Sequence, residues 1–123
     1  MTSDNGVLLD TSIAIDHFRG DTLISELLER SKRRFIATIA VGELRYGALR
    51  SRRFHSHQQQ LAAFLGTLTV VPIDEETTLY YARIRYELAK SGSPIPENDI
   101  WIAAVAQQYR FPLVTRDKHF QHM

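Results

Sequence analysis

Short apolar runs alternate along the chain with longer stretches whose apolar residues recur every three or four positions. Val7-Leu8-Leu9 is the first run, read as a strand, and it leads directly into Asp10-Thr11-Ser12. Thr11 or Ser12 can cap a helix that continues through Phe18 and is stopped by Gly20. Asp21 caps the next helix, in which Leu23, Ile24, Leu27 and Leu28 fall at helical spacing. Residues 34–38 predict a second strand, followed by helices over 39–50 and 57–65. Residues 67–71 are apolar and β-branched, which predicts a third strand ended by Pro72. Asp74 caps a long helix closed by Ser91-Gly92, and the rigid Ser93-Pro94-Ile95-Pro96 loop leads to a helix over 97–109. That helix is apolar nearly all round from Ile100 to Ala106, which predicts burial. Leu113-Val114-Thr115 is the fourth strand.

Strands alternating with helices predict right-handed crossovers and a three-layer α/β/α fold around a small parallel sheet. Four strands are expected. No repeat or linker divides the chain, so residues 1–123 read as one domain. With 44% hydrophobic residues the chain can build a core without staples, and it has no cysteine. That excludes a disulfide scaffold, a thiolate nucleophile and any zinc site that needs sulfur. The polar stretch from Met1 to Gly6 lacks a basic targeting region, and no apolar run is long enough to span a bilayer. A cytoplasmic protein is expected. The net charge of +1 is silent about nucleic acid. Charge is nevertheless clustered: Arg30, Lys32, Arg33 and Arg34 form one basic run, and Arg45, Arg50, Arg52 and Arg53 another. Such runs are read first as solvated helix ends.

In a parallel α/β sheet, ligands sit beyond the carboxyl ends of the strands. Asp10 follows the first strand and Asp117 the last, so both should emerge at that edge. Glu43 lies early in the helix after the second strand, and Asp99 in the first turn of the buried helix. Taken singly, each acid has an ordinary explanation as a cap, turn former or exposed helix residue. Two features argue otherwise. Glu43 falls off the Val41/Leu44/Ala48 stripe and has the small residues Ala40 and Gly47 one turn to either side, while Asp99 opens a helix that should be buried. Four carboxylates gathered at one edge repel unless a cation offsets them. Mg²⁺ or Mn²⁺, bound through a few carboxylates and waters, meets that need and leaves positions for phosphate and an attacking water.

The segments carrying these acids resemble a known family. Leu8-Leu9-Asp10-Thr11-Ser12, Val41-Gly42-Glu43-Leu44-Arg45-Tyr46-Gly47, Asn98-Asp99-Ile100-Trp101-Ile102-Ala103-Ala104 and Leu113-Val114-Thr115-Arg116-Asp117-Lys118-His119-Phe120 are similar to the PIN-domain ribonucleases. Among these, the VapC-type toxins of toxin–antitoxin pairs are the nearest in pattern. The segments stand in the family's order and span nearly the whole chain. The resemblance implies that Asp10, Glu43, Asp99 and Asp117 are the metal-binding, catalytic acids, and that Thr11, Ser12 and Thr115 line the pocket. It also implies endonucleolytic cleavage of RNA by a metal-activated water, leaving 5′-phosphate and 3′-hydroxyl ends. Homodimerisation and inhibition by a small antitoxin, often through an arginine-bearing tail, are implied likewise. The family usually continues past the Asp117 segment into a short strand, whereas six residues follow Asp117 here, which leaves a fifth strand open.

Arg45, Arg116 and Lys118 neighbour the proposed ligands in sequence and are candidates to hold RNA phosphates. Glu97 could reach the pocket rim, and Arg85 reads as a surface residue. His55, His57, His119 and His122 are expected to be exposed loop or helix-end histidines rather than ligands. Tyr46 and Trp101 are expected to pack in the core rather than stack on bases. Other functions fit less well. A phosphoacceptor domain needs an acceptor Asp after a central strand, and Asp74 reads as a cap. An Asp-x-Asp phosphatase fails because Ser12 stands at the second acid's place. A silent partner-binding fold would have no use for four acids.

Overall fold

A computed structural model describes residues 6–123 of the chain. Residues 1–5, read above as polar and free of a targeting signal, lie outside the described residues, as does the side chain of His122. The elements are β1 (Val7–Leu9), α1 (Thr11–Phe18), α2 (Thr22–Arg30), β2 (Arg34–Ala37), α3 (Thr38–Leu49), α4 (Phe54–Leu65), β3 (Thr69–Val71), α5 (Glu75–Ser91), α6 (Glu97–Tyr109), β4 (Leu113–Val114) and a closing 3-10 helix (Lys118–His122).

The strands form one sheet in the order β3-β2-β1-β4, and every neighbouring pair is parallel. Leu8 is in register with Phe35 and Leu113, and Leu9 with Ile36 and Val114. β1 and β2 thus hold the middle of the sheet. Their unbroken apolar runs suit strands covered on both faces, and Leu8, Leu9, Ile36 and Ala37 are fully buried. Because all strands point the same way, Asp10, Thr38 and Thr115 leave the sheet at one edge.

Helix α6 is apolar all round because it has two neighbours. Ile102, Val105 and Ala106 join the core that contains the strands, while Ile100, Ala103 and Ala104 cluster with Ile84 and Leu88 of α5. Asp74 caps α5 as expected, accepting from Thr77 N at 3.1 Å. It also accepts from Gln108 Nε2 at 3.1 Å, tying the start of α5 to the end of α6.

The structure corrects several boundaries. Asp10, not Thr11 or Ser12, caps α1: its Oδ1 accepts from Ile13 N at 2.9 Å. Ser12 Oγ donates to the same oxygen at 2.9 Å, so the hydroxyl supports the cap instead of forming it. Helix α4 begins at Phe54, earlier than expected, and β2 stops at Ala37 because Thr38 already turns into α3. The Thr38 hydroxyl then donates to Val71 O at 3.1 Å, pinning the end of the edge strand. After β4 the described residues form a 3-10 turn and no fifth strand. No helix among the described residues is long and apolar enough to cross a membrane.

Candidate active site

The sheet edge assembles the acids by joining local turns to contacts between distant parts of the chain. Asp10 is 3% exposed. Its Oδ1 is engaged by Ile13 N and Ser12 Oγ, while its Oδ2 accepts from the Thr115 hydroxyl. Thr115 follows β4 and Asp10 follows β1, so strand pairing alone sets these two side chains together. Thr115 Oγ1 also accepts from Asp117 N at 2.9 Å, which fixes where the next acid starts. Glu43 projects from α3, where Oε1 accepts from the Thr11 hydroxyl and Oε2 from Asn98 Nδ2 at 3.1 Å. Asn98 immediately precedes Asp99 in the first turn of α6. Asp99, Asp117 and His119 then each offer one ligand atom, all within 4.8 Å of one another.

This donor set fits a hard divalent ion: carboxylate oxygens predominate, with one imidazole nitrogen. Among the described residues no lysine or arginine pairs with Asp10, Glu43, Asp99 or Asp117. Burial pushes the Asp99 carboxyl above the ordinary aspartate value. The hydrogen bond from His119 works against that rise, whereas the nearby Asp117 and Glu43 charges add to it. Folded, metal-free chains therefore hold the Asp99 proton more tightly than unfolded ones. That contribution to stability is complete below the ordinary carboxylate range and is lost as pH rises through the raised value. Asp99→Asn should raise the melting temperature of the metal-free protein near about pH 7 and leave it unchanged near about pH 3. Thermal melts of both proteins at the two pH values check this, and a lower melting temperature for the variant near neutrality would contradict it.

Comparison with known proteins decides the family. The PIN domain model matches residues 7–123. The chain belongs to the PIN-domain family. Ribonuclease VapC5 of Mycobacterium tuberculosis is 34% identical to this PIN-domain protein over 115 residues, covering 92% of this chain and 84% of the relative. The structure of VapBC2 from Rickettsia felis, bound to a DNA fragment from the promoter, matches with a TM-score of 0.85 and 30% identity. It covers 95% of this chain and 92% of its own. VapBC-5 from Mycobacterium tuberculosis, described as a member of the VapBC family of toxin–antitoxin systems, matches with a TM-score of 0.76. Its identity is 28%, over 94% of this chain and 87% of its own.

Several residues of this PIN-domain protein sit where sequence did not place them. Arg116 turns to the α1–α2 junction, with Nη1 3.2 Å from Asp16 Oδ2 and 2.7 Å from Asp21 Oδ2. Arg45 lines a hollow with Leu49, Phe54 and Gln58, on the α3–α4 side. Lys118 is exposed next to Asp117 and, unlike Arg116, makes no ion pair among the described residues. Glu97 is taken by α5, accepting from the Tyr81 hydroxyl and lying 3.5 Å from Arg85 Nη1. Trp101 is only partly buried and outside both apolar clusters, stacked on Tyr81 with ring centres 3.9 Å apart instead of packing in the core. Tyr46 is not in the core either: it is 61% exposed, with the Arg50 guanidinium 5.3 Å over its ring. Asn98 and His119 are the two site contacts that sequence reasoning missed. Asn98 stood inside a quoted motif, next to Asp99. His119 was set aside as a helix-end residue, and the 3-10 turn brings it back over the acids instead.

Proposed function

We propose that this protein is a divalent-metal-dependent endoribonuclease acting as the toxin of a toxin–antitoxin pair. The observation that carries the reading is the cluster of Asp99, Asp117 and His119 at the sheet edge where Asp10 and Glu43 also lie, with no arginine or lysine paired with these acids among the described residues. The ribonuclease VapC relative supports the choice of RNA as substrate. A bound Mg²⁺ or Mn²⁺ supplies a nucleophilic water at neutral pH and offsets charge on the phosphate.

The chain's own residues orient the site. Asp10, Asp99 and Asp117 would hold the ion, and Glu43 completes the acidic wall. Thr115 and Ser12 occupy both oxygens of Asp10 and so fix its plane. Thr11 and Asn98 do the same for Glu43. Lys118, exposed beside Asp117 and without an ion pair among the described residues, would take an RNA phosphate. A groove of about 340 Å³ runs from Glu43 between α1, α3 and α4, lined by Ile15, Phe18, Leu44 and Leu61. It suits an apolar segment of a small antitoxin, whose tail would then reach the acids. A homodimer in the cytoplasm completes the picture.

Purified protein should cleave a mixed RNA pool with Mn²⁺ present, lose that activity in EDTA, and regain it when Mn²⁺ is restored. Cleavage undiminished by chelation would contradict the metal-dependent reading.

A further inference from the structure

His119 stands between two of the acids, with one ring nitrogen close to both. Its Nδ1 lies 3.2 Å from Asp99 Oδ2 and 3.0 Å from Asp117 Oδ1. A ring nitrogen carries at most one proton, so it cannot give each carboxylate a full hydrogen bond. Three donor atoms separated like this also have the spacing of ligands gathered about one centre. The ring is also held by its backbone. His119 N donates to Asp117 Oδ1 at 2.9 Å, and the next residue, Phe120, packs against both apolar clusters. The 3-10 turn therefore presents the imidazole to the pocket while its side chain stays 45% exposed.

We propose that His119 is a direct metal ligand, its Nδ1 joining Asp99 and Asp117 in a mixed nitrogen–oxygen site. This rests on the metal-dependent reading above and adds a preference among ions. Imidazole suits transition metals, whereas Mg²⁺ takes oxygen ligands and keeps several waters. The site thus favours Mn²⁺ over Mg²⁺, and His119 is the source of that preference.

Electron spin-echo measurements on Mn²⁺ added to the metal-free full chain read the ligand directly. The wild type should show ¹⁴N modulation from a bound imidazole, and His119→Ala and His119→Gln should both lose it. Titration calorimetry should show Mn²⁺ affinity falling about tenfold or more in these variants. Mg²⁺ affinity should stay within about twofold. Mn²⁺ bound by the wild type without ¹⁴N modulation, modulation that persists in both variants, or equal loss of both metals would overturn the role of His119. Each of those results leaves the nuclease reading standing. A wild type that binds no Mn²⁺ would remove both.

Discussion

Asp10→Asn is expected to slow RNA cleavage by at least about a thousandfold, the scale of losing several kcal/mol of metal-ion catalysis, while leaving the fold nearly unchanged. Two jobs of one carboxylate are separated by this substitution. As the cap of α1, Asp10 accepts from Ile13 N and Ser12 Oγ, and an asparagine oxygen accepts both equally well. In the proposed role of ligand it would supply negative charge in a pocket where it is 3% exposed, and asparagine supplies none. Asp10→Ala removes both roles and should cost a further ~0.5–2 kcal/mol of stability. Single-turnover cleavage and denaturant melts of the two variants measure the two effects apart. Cleavage by Asp10→Asn within tenfold of wild type would remove Asp10 from the site.

The largest effect on stability is expected one residue earlier. Leu9 is fully buried and lies in register with Ile36 on one side and Val114 on the other, so the sheet cannot close around a smaller residue without moving three strands. Leu9→Ala should cost about 2–5 kcal/mol. Set against a typical domain stability of about 5–15 kcal/mol, that is a substantial share of the whole. Urea melts check the value, and a loss below about 1 kcal/mol would mean that the sheet collapses onto the gap. The damage would reach function indirectly, because Asp10 and Thr115 depend on the β1–β4 pairing for their contact.

The fold could be read in the sequence wherever a pattern repeats locally. Apolar runs located β1 and β2, Asp21 and Asp74 marked their helices, and the all-round apolar stretch of α6 foretold its burial, which the structure places between two neighbours. Three of the acids could be placed at the sheet edge from topology alone, since Asp10, Glu43 and Asp117 each follow a strand. What escaped was contact between distant parts of the chain. Arg116 looked like a phosphate binder because it neighbours Asp117, yet its partners are Asp16 and Asp21, nearly the whole chain away. His119 has no partner at a telling spacing apart from Asp117, and only the docking of α6 beside the last turn puts Asp99 against it. Tyr46 has aromatic character without a neighbour to cover it, so the expectation of burial failed. The cap of α1 was misplaced for a different reason: Asp10 was assigned to chemistry, and the structure shows it performing the cap.

The central claim is that these acids direct water, rather than a ribose hydroxyl, at the phosphorus of RNA. Cleavage of a defined oligoribonucleotide with Mn²⁺ in ¹⁸O-labelled water, followed by mass spectrometry of the fragments, tests it most directly. Attack by water predicts one ¹⁸O in a 5′-phosphate and a plain 3′-hydroxyl on the other fragment. Fragments ending in a 2′,3′-cyclic phosphate, with no label incorporated by the cleavage step, would contradict it.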